Sequence, residues 1–136
     1  MRLHHAVLLP LLLAQVMLLS SCRPWLEVKL ASSNEVLPAP AFTVEEPSQD
    51  GKPPRYNAIY VLAEDGTQVW FARAHSFGET QSRRIVYGEE PRGFETVDEP
   101  QPLERGRLYR IEVAGEAAGT LRFVTGQDGS VRPEKE

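Results

Sequence analysis

Proline is spread through this chain in a way that leaves little room for helix. There are eleven prolines in 136 residues, and only Pro10 precedes the single cysteine, Cys22. Inside a helix, proline removes a hydrogen bond and clashes with the preceding turn, at a cost of about 3 kcal/mol. None of the prolines interrupts the strongest apolar alternations, and those alternations have the two-residue period of a half-buried strand. The chain after Cys22 is therefore expected to be all-β.

In chain order, Trp25 to Leu30 alternates, with Leu26, Val28 and Leu30 on one face. A second reading makes residues 23–40 a flexible spacer, with the domain beginning near Phe42. Ala41–Glu45 is a short strand with Phe42 and Val44 on one side. Glu46–Arg55 is loop, broken by Pro47, Asp50-Gly51 and Pro53-Pro54. Tyr56–Glu64 and Thr67–Ala74 flank Asp65-Gly66, which suits a two-residue type I′ turn. That turn pairs Glu64 with Thr67, Leu62 with Val69, Val61 with Trp70, Tyr60 with Phe71 and Ile59 with Ala72. Both faces of this hairpin are apolar. Either its Ile59, Val61, Trp70, Ala72 face is covered by its own domain, or that face is a patch presented to a partner. Short strands follow at Arg83–Tyr87, at Phe94–Val97 as an edge, and at Thr120–Thr125. Residues 131–136 are expected to be a frayed, charged end.

Leu103, Gly106 and Tyr109, followed by Ile111 and Val113, resemble one segment of fibronectin type III and related immunoglobulin-like domains. There a loop crosses between sheets, a leucine plugs the core, and a glycine makes the turn. A tyrosine opens the next strand and bonds back to the loop, the tyrosine corner. Arg105 stands where those domains usually have proline. With about seven short strands, the expected fold is a small antiparallel β-sandwich of immunoglobulin-like type. A small closed barrel is the alternative.

The first residues carry a different signal. Ala6–Leu19 is a run of 14 residues broken only by Pro10 and Gln15. A membrane-crossing helix needs about 20 apolar residues, whereas the apolar core of a signal peptide needs ~7–15 followed by small residues. A signal peptide over residues 1–21 is favoured over an uncleaved anchor. Its end resembles the lipobox of bacterial lipoproteins, with Leu19, Ser20 and Ser21 as the peptidase recognition residues and Cys22 as the acceptor. The chemistry needs a thiolate, which is nucleophilic enough to form a thioether with diacylglycerol. The resemblance implies cleavage before Cys22, acylation of its sulfur, and a membrane partner held through that lipid. Two or more acyl chains give stable anchoring. Because Arg23 rather than aspartate follows the cysteine, the resemblance also implies sorting to the outer membrane, facing the periplasm. In a one-membrane bacterium it implies the outer face of the cell membrane.

Removal of residues 1–21 leaves 115 of the 136 residues, enough for one domain with its own core. Residues 22–24 then form a lipidated N-terminus with a short tether, and 25–130 the sandwich. Arg2 is the only charged residue before Cys22. Of 15 Lys and Arg and 19 Asp and Glu, 14 and 19 remain, and the formal charge goes from −4 to −5. That balance argues against nucleic acid, whose binding is driven by neutralising phosphates.

Catalytic constellations are absent from the sequence pattern. His75 is the only histidine after Cys22, so a zinc site lacks ligands. His75-Ser76 lacks the acid and oxyanion hole of a hydrolase. Glu45-Glu46 and Glu89-Glu90 read as solvated loop carboxylates. Arg83-Arg84 with Arg73 reads as a strand end, or as a basic patch for acidic glycans or lipid head groups. No Gly-rich phosphate loop is present, and no cofactor is expected. The functional expectation is a membrane-anchored, non-enzymatic binding or structural module acting on an envelope protein or cell-wall component. The alternatives are an accessory subunit of an envelope or secretion complex, and a cell-wall hydrolase inhibitor acting through the Gly88–Gly93 loop.

Overall fold

A computed structural model describes residues 24–76 and 81–135. Its strands are β1 (Glu27–Leu30), β2 (Ala41–Glu45), β3 (Ala58–Ala63), β4 (Gln68–Ala74), β5 (Arg84–Val86), β6 (Phe94–Asp98), β7 (Leu108–Ala114), β8 (Ala118–Thr125) and β9 (Val131–Pro133). They form two antiparallel sheets, ordered β1-β2-β5 and β6-β4-β3-β7-β8-β9. Among the described residues the prolines lie in loops, at the start of a 3-10 turn over Pro47–Gln49, or, as Pro133, at the end of an edge strand, where a missing donor costs no ladder bond.

Alternation decides which side chains face inward. Leu26, Val28, Phe42, Val44 and Ile85 bury against Ile59, Val61, Trp70, Ile111, Val113 and Phe123 from the larger sheet. Phe42 and Phe123 meet across the sandwich with ring centroids 5.3 Å apart. The architecture is a β-sandwich consistent with an immunoglobulin-like domain. Among the described residues, the sheets are stitched by isolated bridges at Trp25–Ala118 and Val36–Ser130 rather than closed into a barrel.

The first strand is part of the sandwich. Val28 pairs with Val44 and Leu30 with Phe42, so the spacer reading of residues 23–40 does not hold for the described part of that stretch. At the other end, Val131–Pro133 is strand and not part of the frayed tail expected over 131–136. Val131 is fully buried, and its N–H donates to Glu35 O at 2.9 Å. β9 continues the sheet beyond β8, and Arg122 pairs with Glu134 at 2.6 Å. A charge-rich composition suggested solvent there, but one valine and an open strand edge were enough to draw the segment in. This ninth strand takes the count above the seven or so expected.

The hairpin keeps its expected register in its body but reaches it by another route. Ile59 faces Ala72, Tyr60 faces Phe71 and Val61 faces Trp70, but Leu62 faces Gln68, not Val69, with a bulge between. The turn closes through Gly66 N–H to Ala63 O at 2.9 Å and Ala63 N–H to Thr67 O at 2.8 Å. Gly66 has φ +88°, whereas Asp65 is not left-handed. A type I′ turn requires both residues left-handed. The three-residue loop spares Asp65 that strain and places its carboxylate on Thr67 N–H at 2.9 Å. The bulge at Val69 then restores the register and turns both Val69 and Trp70 inward.

The tyrosine corner is formed. Glu104 N–H donates to the Tyr109 hydroxyl at 2.8 Å, Gly106 has φ +68°, and Leu103 is buried. One element differs from the resemblance. β6 and β7 belong to the same sheet, so the loop bridges over the ends of β4 and β3 instead of changing sheets. Gln101 N–H donates to Val69 O at 2.9 Å, which satisfies the carbonyl exposed by the bulge.

Candidate functional site

Leu19, Ser20, Ser21 and Cys22 lie outside the described residues. The chain enters the structure at Pro24 and Trp25, both exposed. Trp25 is not a loose tether. It bridges Ala118 in parallel, and Leu26 N–H donates to Ala118 O at 3.0 Å. Gly119 makes room for this crossing, since a Cβ there would stand 2.3 Å from Leu26 O. The chain then leaves β8 and joins β2 in the other sheet.

The face predicted as a partner patch is core. Ile59, Val61, Trp70 and Ala72 are each 0% exposed. The hairpin occupies the middle of the larger sheet, and the smaller sheet packs over this side. Trp70 lies edge-on to Tyr87, with centroids 5.4 Å apart and planes at 72°. The Tyr87 hydroxyl donates to Gln101 O at 2.5 Å. Burial pushes the Tyr87 hydroxyl well above the usual phenol range, and does the same to Tyr56, which donates to Ser82 O at 2.6 Å. Both tyrosines therefore act as fixed neutral donors.

The hairpin's other face is the one that meets solvent. Tyr60 and Phe71 stack there at 4.5 Å with planes 10° apart, beside half-buried Leu62. Val97 on neighbouring β6 is 45% exposed. Glu112 stands opposite Tyr60 and Arg110 opposite Leu62, and these two charges pair at 2.9 Å. Arg73 pairs with Glu95 at 2.6 Å, and Gln68 bonds Asp98. The arrangement is a small aromatic patch fenced by neutralised charge pairs, suited to contact rather than to proton transfer.

The remaining sequence candidates separate in space. His75 and Ser76 are exposed loop residues. Arg83 pairs with Glu45 at 3.3 Å and Arg73 with Glu95, so two of the three arginines of the supposed basic patch are neutralised. Glu90 accepts Thr96 N–H at 2.9 Å, which ties the Gly88–Gly93 loop to β6. Glu46 corrects its sequence reading. Its side chain is 0% exposed, with Oε2 bonded to Arg55 Nε at 3.1 Å and Oε1 without a partner. Arg55 reaches on to Glu116 at 2.9 Å. No sequence signal separated Glu46 from its solvated neighbour Glu45, because its burial comes from the fold of the 46–55 loop.

Depressions mark the surface near the hairpin tip and between β1 and β9. A cleft of about 520 Å³ lies at the hairpin tip, lined by Asp65, Val69, Gln101, Glu104, Arg107 and Tyr109. Arg107 and Glu104 pair in its wall at 2.9 Å. A groove of about 760 Å³ runs between β1 and β9, with Leu30, Leu121, Val131 and Pro133 in its walls and Lys29 and Lys135 on its rim. Among the described residues, no three His, Cys, Asp or Glu side chains converge as a metal site would require. No helix there is long and apolar enough to cross a membrane.

Several carboxylates are poised to be acid-sensitive. Glu35 is held below its ordinary value of 4.5 by hydrogen bonds from Ser32 and from Ala41 N–H, the latter at 2.7 Å. Arg73 lowers Glu95 from 4.5. Bonds from Thr67 lower Asp65, and bonds from Ser130 lower Asp128, each from 3.8. A carboxyl whose folded value is depressed stabilises the fold above its unfolded value, and that contribution is lost as pH falls through the folded one. The urea midpoint should therefore be level above about pH 5 and decline below about pH 4. Titrations of unfolding between pH 3 and pH 7 check this, and a midpoint that rises on acidification contradicts it.

Comparison with known protein families, curated proteins and solved structures finds no match to the chain.

Proposed function

We propose that this protein is a bacterial envelope lipoprotein, acylated on Cys22, whose sandwich serves as a non-enzymatic binding or structural module at the membrane surface. The observation that carries this reading is the distance between two features. Leu19-Ser20-Ser21-Cys22 ends an apolar segment of signal-peptide length, and the first core residue, Leu26, comes four positions later. Tethering keeps the domain near the bilayer and raises the effective concentration of any partner in the same layer. Arg23 after the cysteine supports the outer membrane of a two-membrane cell, with the domain in the periplasm.

The partner surface in this reading is the Tyr60, Leu62, Phe71 and Val97 face, since the opposite face of the hairpin is core. Its aromatic pair within a polar fence has the makeup of a small protein contact. That composition favours an accessory-subunit role in an envelope complex over inhibition of a wall hydrolase through residues 88–93, which are bound back onto β6.

Cys22→Ala tests the anchor. The variant is expected to keep its signal-peptide mass, carry no acyl mass, and lose the hydrophobic anchoring that acylation provides. Photoreactive residues at positions 60 and 97 of the native chain test the surface. A single envelope protein captured at both positions, and only from the anchored form, supports the subunit role. Wall polymer captured instead replaces it with a glycan-binding role. Absence of lipid on wild-type Cys22 overturns the reading altogether.

A further inference from the structure

We infer that Trp25 is a membrane-seating residue, held by the sandwich so that its indole enters the headgroup layer of the bilayer carrying the Cys22 lipid. The inference rests on the lipoprotein reading above and adds to it an orientation. Trp25 is one of two tryptophans, and their environments are opposite. Trp70 is 0% exposed, whereas Trp25 is 53% exposed.

Distance is the first support. Trp25 stands three positions after Cys22, and an extended chain spans at most about 3.3–3.6 Å per residue, so about 10–11 Å in all. The polar layer on each side of a bilayer is roughly 5–8 Å deep, taking a total of about 40–45 Å around a 30 Å hydrocarbon core. A lipid-held Cys22 therefore keeps Trp25 within reach of that layer. Tryptophan is enriched at this depth because its ring is apolar and its N–H is polar.

Rigidity is the second support. An exposed tryptophan on a loose linker would carry no information about orientation, but Trp25 is fixed to β8. The Leu26–Ala118 hydrogen bond and the space left by Gly119 hold it where the chain crosses between the sheets. The nearest charges at this end of the sandwich are engaged in ion pairs, with Arg55 shared between Glu116 and Glu46. Glu27, two residues on, pairs with Lys29, and Glu116, two residues before Ala118, pairs with Arg55. Arg23, two positions from Trp25, contributes a cation toward acidic headgroups. With both the lipid and the indole engaged, the sandwich stands on this end, and the Asp65-Gly66 hairpin tip points away from the membrane.

The test uses the acylated full chain in vesicles of phosphatidylethanolamine and phosphatidylglycerol, with plain or brominated acyl chains. Bromine quenches tryptophan on contact, and buried Trp70 is shielded from it. The expected result is a blue-shifted emission that drops in brominated vesicles, with the drop abolished in Trp25→Phe. The mass of the chain is measured on the same sample. If Cys22 is acylated and the protein floats with the vesicles, but emission is equal in both and aqueous iodide still quenches Trp25, the seating is wrong and the lipoprotein reading stands. If no acyl mass is found, the lipoprotein reading fails and the seating fails with it.

Discussion

Trp70→Ala is expected to cost about 3–5 kcal/mol, as truncation of large buried aromatics does. A domain of this kind has a total stability of only about 5–15 kcal/mol, so the variant should be largely unfolded at modest urea concentration. The reason is position. Trp70 is fully buried on β4, one strand in from the β6 edge of the larger sheet, opposite Val61 and edge-on to Tyr87. The β4 bulge exists beside it, and the loop residue Gln101 is tied to both Val69 and Tyr87 around it. Removing the ring empties a space that three separate elements close.

Trp70→Phe isolates the ring-packing part of that cost. The indole N–H is buried without a hydrogen-bond partner, and an unsatisfied buried donor costs about 1–3 kcal/mol. Phenylalanine and alanine both remove this donor, but phenylalanine keeps much of the ring packing, so it should be markedly less damaging than alanine. Urea unfolding followed by far-ultraviolet circular dichroism reads both variants. Equal losses for Phe and Ala would mean that ring packing is not what makes this position sensitive.

The second large effect is expected at Arg55. Glu46 has no exposed side-chain surface, and its one charge partner is the Arg55 guanidinium. Breaking a buried pair leaves an uncompensated charge, typically at a cost of 3–5 kcal/mol, while replacing both members with apolar groups is often neutral. Arg55 is 28% exposed, so water moderates the loss, and Arg55→Met should cost roughly 3 kcal/mol, at the low end of that range. Glu46→Leu combined with Arg55→Met should recover most of it. Glu116→Ala removes the outer partner, whose side chain is 64% exposed, and should change stability by less than about 1 kcal/mol. A double-mutant cycle on urea midpoints checks the series. If the double variant is no better than Arg55→Met alone, Glu46 is not the buried charge that makes Arg55 necessary.

These residues show where sequence reasoning stops. Trp70 was legible as part of an apolar hairpin, because alternation and a Gly-containing turn are local signals. Its burial was not legible, because Tyr60 and Phe71 make the other face equally apolar and alternation cannot choose between two apolar faces. The β1-β2-β5 sheet makes the choice by covering one of them. Glu46 and Glu45 are indistinguishable in sequence, yet one is buried and the other meets water. The fold of the 46–55 loop, which brings Arg55 onto Glu46, separates them.

The two halves of the problem divide along the range of the forces involved. Proline placement, two-residue periodicity and the Leu103–Tyr109 spacing act within a few residues, so the sequence by itself determined an all-β sandwich and its tyrosine corner. The expectation of a lipid on Cys22 is likewise local, since a peptidase and an acyltransferase read an extended stretch of chain. Only the tertiary structure decided which hairpin face is core, that Val131–Pro133 adds a ninth strand, and that Glu46 is buried against Arg55. It also decided that Trp25 is fixed on β8 rather than loose in a tether. Each of these depends on which distant segment arrives to exclude water, and burial is a property of the assembled pair of sheets, not of any one segment's pattern.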